Sequence, residues 1–154
     1  MKRKRAIGIV AIMIIMLLSG CGKEKGDNKE SAICTLEQEG VSFTVEYEAE
    51  DDAINKITRE SIVSLENFTE EQIEAMLSSE DAASAVYDEI EGSTYKLERD
   101  EDSLIETVVM EINEDSISQL IGRGALEVSS EDTTKLSLNE TLEGLEESGW
   151  TIEK

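Results

Sequence analysis

Val41-Ser42-Phe43-Thr44-Val45-Glu46-Tyr47-Glu48 is the stretch from which the fold is read. Val41, Phe43, Val45 and Tyr47 alternate with Ser42, Thr44, Glu46 and Glu48. A strict period of two describes a strand with one buried and one wet face. On its N-terminal side, Glu39-Gly40 supplies a turn and Ala32-Ile33-Cys34-Thr35-Leu36 a first strand. On its C-terminal side, Glu50-Asp51-Asp52 is a charged turn. Ala53 to Leu65 then carries two patterns. Ile54, Ile57, Ser61, Ile62 and Leu65 fit a helical stripe, while Ile54, Ile57, Thr58, Ile62 and Val63 are β-branched. The β-branched content and the hairpin before it favour a strand.

Further on, Phe68-Thr69-Glu70-Glu71-Gln72-Ile73 reads as a helix start. Thr69 caps, Gln72 reciprocates, and Phe68 staples onto Ile73. The stripe Ile73, Met76, Leu77, Ala82, Ala83, Val86, Tyr87, Ile90 continues to a stop at Gly92, with a break or bend at Ser78-Ser79. Thr94–Glu98 and Leu104–Ile112 are strands around the turn Arg99–Asp102. Leu104 to Ile112 is apolar on both faces, which predicts a strand covered on both sides. Glu114-Asp115-Ser116 starts a short helix that ends at Gly122-Arg123-Gly124. A short strand over Ala125–Val128 follows. Ser137-Leu138-Asn139-Glu140 opens a last helix through a capping box, Gly149 ends it, and Trp150–Ile152 returns as a strand. The expected fold is α+β, an antiparallel sheet of hairpins with helices packed mainly on one face.

Composition narrows the chemistry. The chain has 154 residues, 36 Asp+Glu against 14 Lys+Arg, and no His. Without His, a Ser-His-Asp or Cys-His site and most zinc sites are excluded. Without Pro, there is no prolyl switch.

The N-terminus sets the address. Lys2, Arg3, Lys4 and Arg5 precede the apolar run Ala6–Leu18, which is shorter than the ~20 residues of a membrane span. Small residues follow, as in a secretory signal. Leu18-Ser19-Gly20-Cys21 looks like a bacterial lipobox, which implies acylation of Cys21 and cleavage after Gly20. The expected division is a signal over 1–20, a lipidated N-terminus and polar tether over 21–31, and one domain over 32–154. Loss of the signal leaves 10 Lys+Arg against 36 Asp+Glu, a net charge of −26. So acidic a surface repels nucleic acid. Cys34 becomes the sole remaining thiol, so no internal disulfide is possible.

Several features together resemble a YehR-like family of small bacterial lipoproteins of unassigned function. They are Cys34-Thr35-Leu36 before Gly40, the strand Val41–Tyr47, Gly92 with Tyr95, Glu106-Thr107-Val108-Val109-Met110-Glu111, and the Ser137-Leu138 helix running to Gly149-Trp150. The resemblance covers the lipobox and most of 32–154. It implies a compact α+β lipoprotein domain and supplies no catalytic residues. Members of that family are richer in Lys, so the acidity here is a departure.

Other candidate sites are weak. Paired carboxylates could serve glycoside hydrolysis, but 36 acidic residues produce close pairs by chance. Glu50-Asp51-Asp52, Asp100-Glu101-Asp102 and Glu131-Asp132 could hold Ca²⁺, yet none has the alternating ligands of an EF-hand loop. Gly122-Arg123-Gly124 is too short for a phosphate loop. Cys34 is expected to be a buried small hydrophobe, and Tyr47, Tyr87, Tyr95 and Trp150 to pack in the core. The sequence therefore predicts no catalytic residue, metal or cofactor. It predicts an extracytoplasmic, lipid-anchored binding or interaction module, held to the membrane by its lipid, with the protein or small-ligand partner left open. A carboxylate hydrolase of the cell envelope and a low-affinity cation-binding surface protein are the alternatives.

Overall fold

The computed structural model describes residues 28–126, 128 and 133–154. Its elements run β1 (Lys29–Gln38), β2 (Val41–Glu50), β3 (Ala53–Ser64), α1 (Glu70–Ser78), α2 (Glu80–Tyr87), β4 (Ser93–Asp100), β5 (Ser103–Glu111), α3 (Glu114–Gly122), α4 (Leu138–Glu147) and β6 (Thr151–Glu153). The strands form one antiparallel sheet in the order β4-β5-β3-β2-β1-β6. The expected α+β class and sheet are met. β1 starts at Lys29, so Lys29–Ser31 belong to the sheet and not to the expected tether.

Residues opposite each other across an antiparallel ladder point to the same face. Cys34 lies opposite Val45, Val45 opposite Arg59 and Arg59 opposite Val108. Ala32, Tyr47, Ile57 and Met110 form the next row. All four described helices add buried side chains to this face: Ile73 from α1, Tyr87 from α2, Ile117 and Leu120 from α3, Leu138 and Leu142 from α4. The core divides in two. The larger part holds Cys34, Val45, Val108, Ile117 and Leu120, and the smaller holds Leu65, Ile73 and Leu104. Between them on the same face lies the ion pair of Arg59 and Glu106, 2.9 Å apart. A half-exposed ion pair contributes ~0–1 kcal/mol, whereas each fully buried Ile or Leu contributes ~1.5–3 kcal/mol, so burial carries the fold.

β3 is a strand, and a bulge explains its second pattern. The register slips beside Glu48 and Ala49, leaving Asn55 extra. Ile54 and Ile57 therefore share the buried face although they lie three positions apart. Ile62, by contrast, points to the open face and is 36% exposed. β5 departs from expectation. It is an interior strand, but Ile105, Thr107 and Val109 lie on the face away from the helices. They are half-buried by cross-strand neighbours, Ile62 beside Ile105 and Thr58 beside Val109.

The helix caps follow local chemistry. Thr69 Oγ1 accepts from the Gln72 N–H at 3.3 Å, and Gln72 Oε1 accepts from the Thr69 N–H at 2.9 Å. Phe68 remains 39% exposed, whereas Ile73 is buried. The stripe that follows breaks at Ser79 into α1 and α2. Asn113, unrecognised in the sequence, caps α3 by accepting from the Asp115 and Ser116 N–H groups. No strand forms at Ala125 and Leu126. Their N–H groups close α3 onto the Leu120 carbonyl, and Glu127 lies outside the described residues.

Gly92 stops no helix. It enters β4 with φ +77°, and a Cβ there would sit 2.5 Å from Glu111 Oε2 and 2.7 Å from Glu111 Cβ. Gly40, in the β1–β2 turn, has φ +79° and open space around it. Gly40→Ala therefore meets only the backbone penalty, ~1 kcal/mol. Gly92→Ala adds a clash with a ladder neighbour and is expected to cost ~1–3 kcal/mol more. Urea unfolding of both variants checks this, and equal losses would show that the Glu111 contact is immaterial.

Candidate functional site

The lipobox residues Leu18, Ser19, Gly20 and Cys21 lie outside the described residues, as do Glu131 and Asp132. The other singled-out positions can be placed. Cys34 is fully buried in β1 opposite Val45 and Ile152, and burial pushes its thiol pKa up. Tyr47 lies on the same face, its phenol pushed up to about 12 by burial first, then by Cys34, against a lowering by Arg59. Tyr87 and Tyr95 stack at 5.8 Å, and Phe43 meets Trp150 at 6.3 Å. These aromatic residues pack as the sequence suggests.

The turn Glu50-Asp51-Asp52 acts as a staple. Asp51 and Asp52 adopt φ +49° and +66°, the left-handed pair that a two-residue hairpin requires and that Asp tolerates. Asp52 then ties the turn to α4. Its carboxylate accepts from Ser137 Oγ at 2.8 Å and from the Asn139 N–H at 2.9 Å, and its carbonyl accepts from the Leu138 N–H at 2.9 Å. Ser137 Oγ meanwhile accepts from the Glu140 N–H at 3.2 Å. The α4 N-terminus is thus satisfied from 85 residues away, through Asp52 as well as through the Ser137 half of the expected capping box. A carboxylate at a helix N-terminus is a familiar stabilising pattern, but its identity here depends on a tertiary contact.

The remaining ionic contacts are also ties. Arg99 holds Glu70 of α1 through both guanidinium nitrogens, at 3.0 and 2.8 Å. Arg123, within Gly122-Arg123-Gly124, bonds Glu89 and the Ala85 carbonyl, joining the end of α3 to α2. Gly124 takes φ +71° just beyond the helix, which fits the expected stop. Arg99 lowers the Glu70 pKa and Arg123 lowers that of Glu89. Asp52 is lowered by the Asn139 N–H first and Ser137 second. Each of these carboxylates is held ionised, the opposite of what a general acid needs.

A broad concavity of about 840 Å³ is open and lies at the N-terminus of α3. Glu91, Glu111, Glu114 and Asp115 line it with Asn113 and Gln119. A second, about 490 Å³, runs between α4 and the β6 end past Leu142, Ile152 and Lys154. No group of three or more metal-ligating side chains forms among the described residues. The open sheet face carries Thr35, Thr44, Glu60, Thr107 and Lys96 in a single cross-strand row.

Two outcomes test these placements. The lowered Asp52 pKa means that its contribution is complete above the ordinary carboxylate value of ~3.9 and is lost as pH falls through the folded pKa. Asp52→Asn keeps the turn geometry but removes that charge. It should lower the thermal midpoint at pH 7 and flatten its fall between about pH 5 and 3; a parallel shift at every pH would remove the staple. Cys34 should resist Ellman reagent in the native protein and react once guanidinium unfolds it, so fast native reaction would contradict its burial.

The comparisons with known proteins agree with this architecture. Residues 30–151 match the family model described as "Protein of unknown function (DUF1307)". The chain is 30% identical over 157 residues to the uncharacterized lipoprotein Lmo0207 of Listeria monocytogenes, covering 97% of this chain and 95% of that one. Among solved structures, the Escherichia coli YehR protein matches at TM-score 0.64 and 21% identity, over 84% of this chain and 94% of that one. A Streptococcus pneumoniae TIGR4 protein matches at TM-score 0.57 and 12% identity, over 88% and 92%. Family match, lipoprotein relative and shared fold meet the expectation drawn from the sequence: the chain belongs to the DUF1307 family of YehR-like lipoproteins.

Proposed function

We propose that this protein is a lipid-anchored, extracytoplasmic binding module without catalytic activity. The supporting observation is the pairing of Leu18-Ser19-Gly20-Cys21 with a folded domain that begins at Lys29, eight residues beyond the cysteine. The lipoprotein relative supports the same placement. No described helix is long and apolar enough to cross a membrane. Two or more acyl chains hold a protein stably at a bilayer, where one holds it only marginally.

The ionised, structurally committed carboxylates Asp52, Glu70 and Glu89 suit a scaffold. The sheet face away from the helices offers hydroxyls and carboxylates to a ligand, Thr44, Thr58 and Thr107 around Glu60. The acidic surface favours a neutral or cationic partner over nucleic acid.

Cys21→Ala tests the anchor in the producing cell. The natural protein should be recovered with membranes and carry an N-terminal acyl mass. The variant should keep its signal or appear in the soluble fraction, and a variant still processed and membrane-bound would remove the anchor. Incubation with purified peptidoglycan tests the absence of catalysis: no turnover is expected. Turnover that disappears on replacing one carboxylate would make the protein a hydrolase.

A further inference from the structure

β4 lies at one edge of the sheet, and among the described residues it has a strand neighbour on one side only, β5. The Glu111 N–H donates to the Gly92 carbonyl at 3.0 Å. Antiparallel hydrogen bonding alternates every second residue, so Thr94, Lys96 and Glu98 turn their backbone groups toward β5. Tyr95, Leu97 and Arg99 present theirs at the free edge. Edge strands are usually blunted by charge, and β4 carries Lys96, Glu98 and Arg99. The order of those charges, however, is complementary to itself.

We propose that the β4 edge pairs with the β4 edge of a second copy of this chain, antiparallel and centred on Leu97. A two-fold axis perpendicular to the sheet keeps both open faces on one side. It sets Leu97 against Leu97, Lys96 of one copy against Glu98 of the other, and Tyr95 of one copy against Arg99 of the other. The Lys96–Glu98 and Tyr95–Arg99 pairs each occur twice. The Leu97 and Tyr95–Arg99 pairs are the hydrogen-bonded ones. The Lys96–Glu98 pairs fall at the non-hydrogen-bonded positions, where side chains come closest. Within one chain Lys96 and Glu98 already meet at 2.8 Å, with side chains 62% and 56% exposed, so both remain open to a second partner. Tyr95 is backed by Tyr87 and Arg99 is held by Glu70, so both enter the contact oriented.

Charge also fixes the register. A pairing centred on Lys96 opposes Lys to Lys, and one centred on Glu98 opposes Glu to Glu. Among pairings that keep each residue on its own face, only the Leu97 centre brings opposite signs together within β4 without also opposing like charges. The contact is isologous and closed. It joins two six-stranded sheets into one and removes the long free edge. It does not depend on acylation of Cys21.

The test uses the full chain in membranes or detergent at physiological ionic strength. Leu97→Cys under mild oxidation should give a covalent dimer, since Cys34 is buried; Thr94→Cys, which does not oppose itself, should not. Lys96→Glu added to Leu97→Cys should lower the dimer yield about ten-fold, because Glu then opposes Glu twice, and Glu98→Lys added to that should restore it. Repeating the series with Cys21→Ala separates this contact from the anchor. Because Leu97 packs in the smaller core, sedimentation equilibrium of the natural chain and of Lys96→Glu provides an independent reading. A monomeric natural chain, equal cross-linking at position 94, or indifference to the charge reversal would overturn the proposal.

Discussion

The fold depends on the two-residue alternation of the β2–β3–β5 ladders. Val45, Arg59 and Val108 form one cross-strand row, and Tyr47, Ile57 and Met110 the next. A slip of one residue in either ladder would turn the buried set of a strand toward water. Among the described residues Cys34 is free and buried, so no disulfide holds the ladders there, and the four described helices all pack on this one face. Pairing register and burial are therefore one constraint. The helices lean on it in turn: α4 through Leu138 and Leu142, α3 through Ile117 and Leu120, and α1 through Ile73 in a separate, smaller cluster.

Where local pattern and tertiary structure coincide, the sequence was legible. The alternation of Val41–Glu48, the Thr69–Gln72 cap and the Gly124 stop all act within a few residues. β3 shows how the reading becomes ambiguous. The bulge at Asn55 places Ile54 and Ile57 on one face with the three-residue spacing of a helix, so a strand imitates the helical period. β5 misleads differently. Its second face is apolar at Ile105 and Val109 because neighbouring side chains shelter them, and the sequence does not distinguish that shelter from a covering layer. Asn113 was missed because its reciprocal partner is Ser116, where a Glu or Gln is the familiar signal.

The candidate site was less legible than the fold. Acidic residues outnumber basic ones 36 to 14, and sequence gives them one undifferentiated reading as a charged surface. The structure separates them. Asp52, Glu70 and Glu89 are ties between elements 85, 29 and 34 residues apart. Glu91, Glu111, Glu114 and Asp115 line an open concavity. Glu60 stands amid threonines on the open face. Such roles arise from long-range pairing, which no local window contains.

The start of β1 at Lys29 has a consequence for how the domain stands on a bilayer. If Cys21 carries the proposed lipid, the eight residues to Lys29 can span no more than ~29 Å. β3, with 12 residues, is ~40 Å long. Such a leash would be shorter than the domain's own height and would hold it at the end carrying Glu50, Asp51 and Asp52. Two copies joined edge to edge along antiparallel β4 strands have their leashes at diagonally opposite corners. Both lipids then enter one leaflet only if the symmetry axis is upright and the joined sheet lies parallel to the membrane. A short leash thereby converts the direction of a strand pairing into an orientation on the surface.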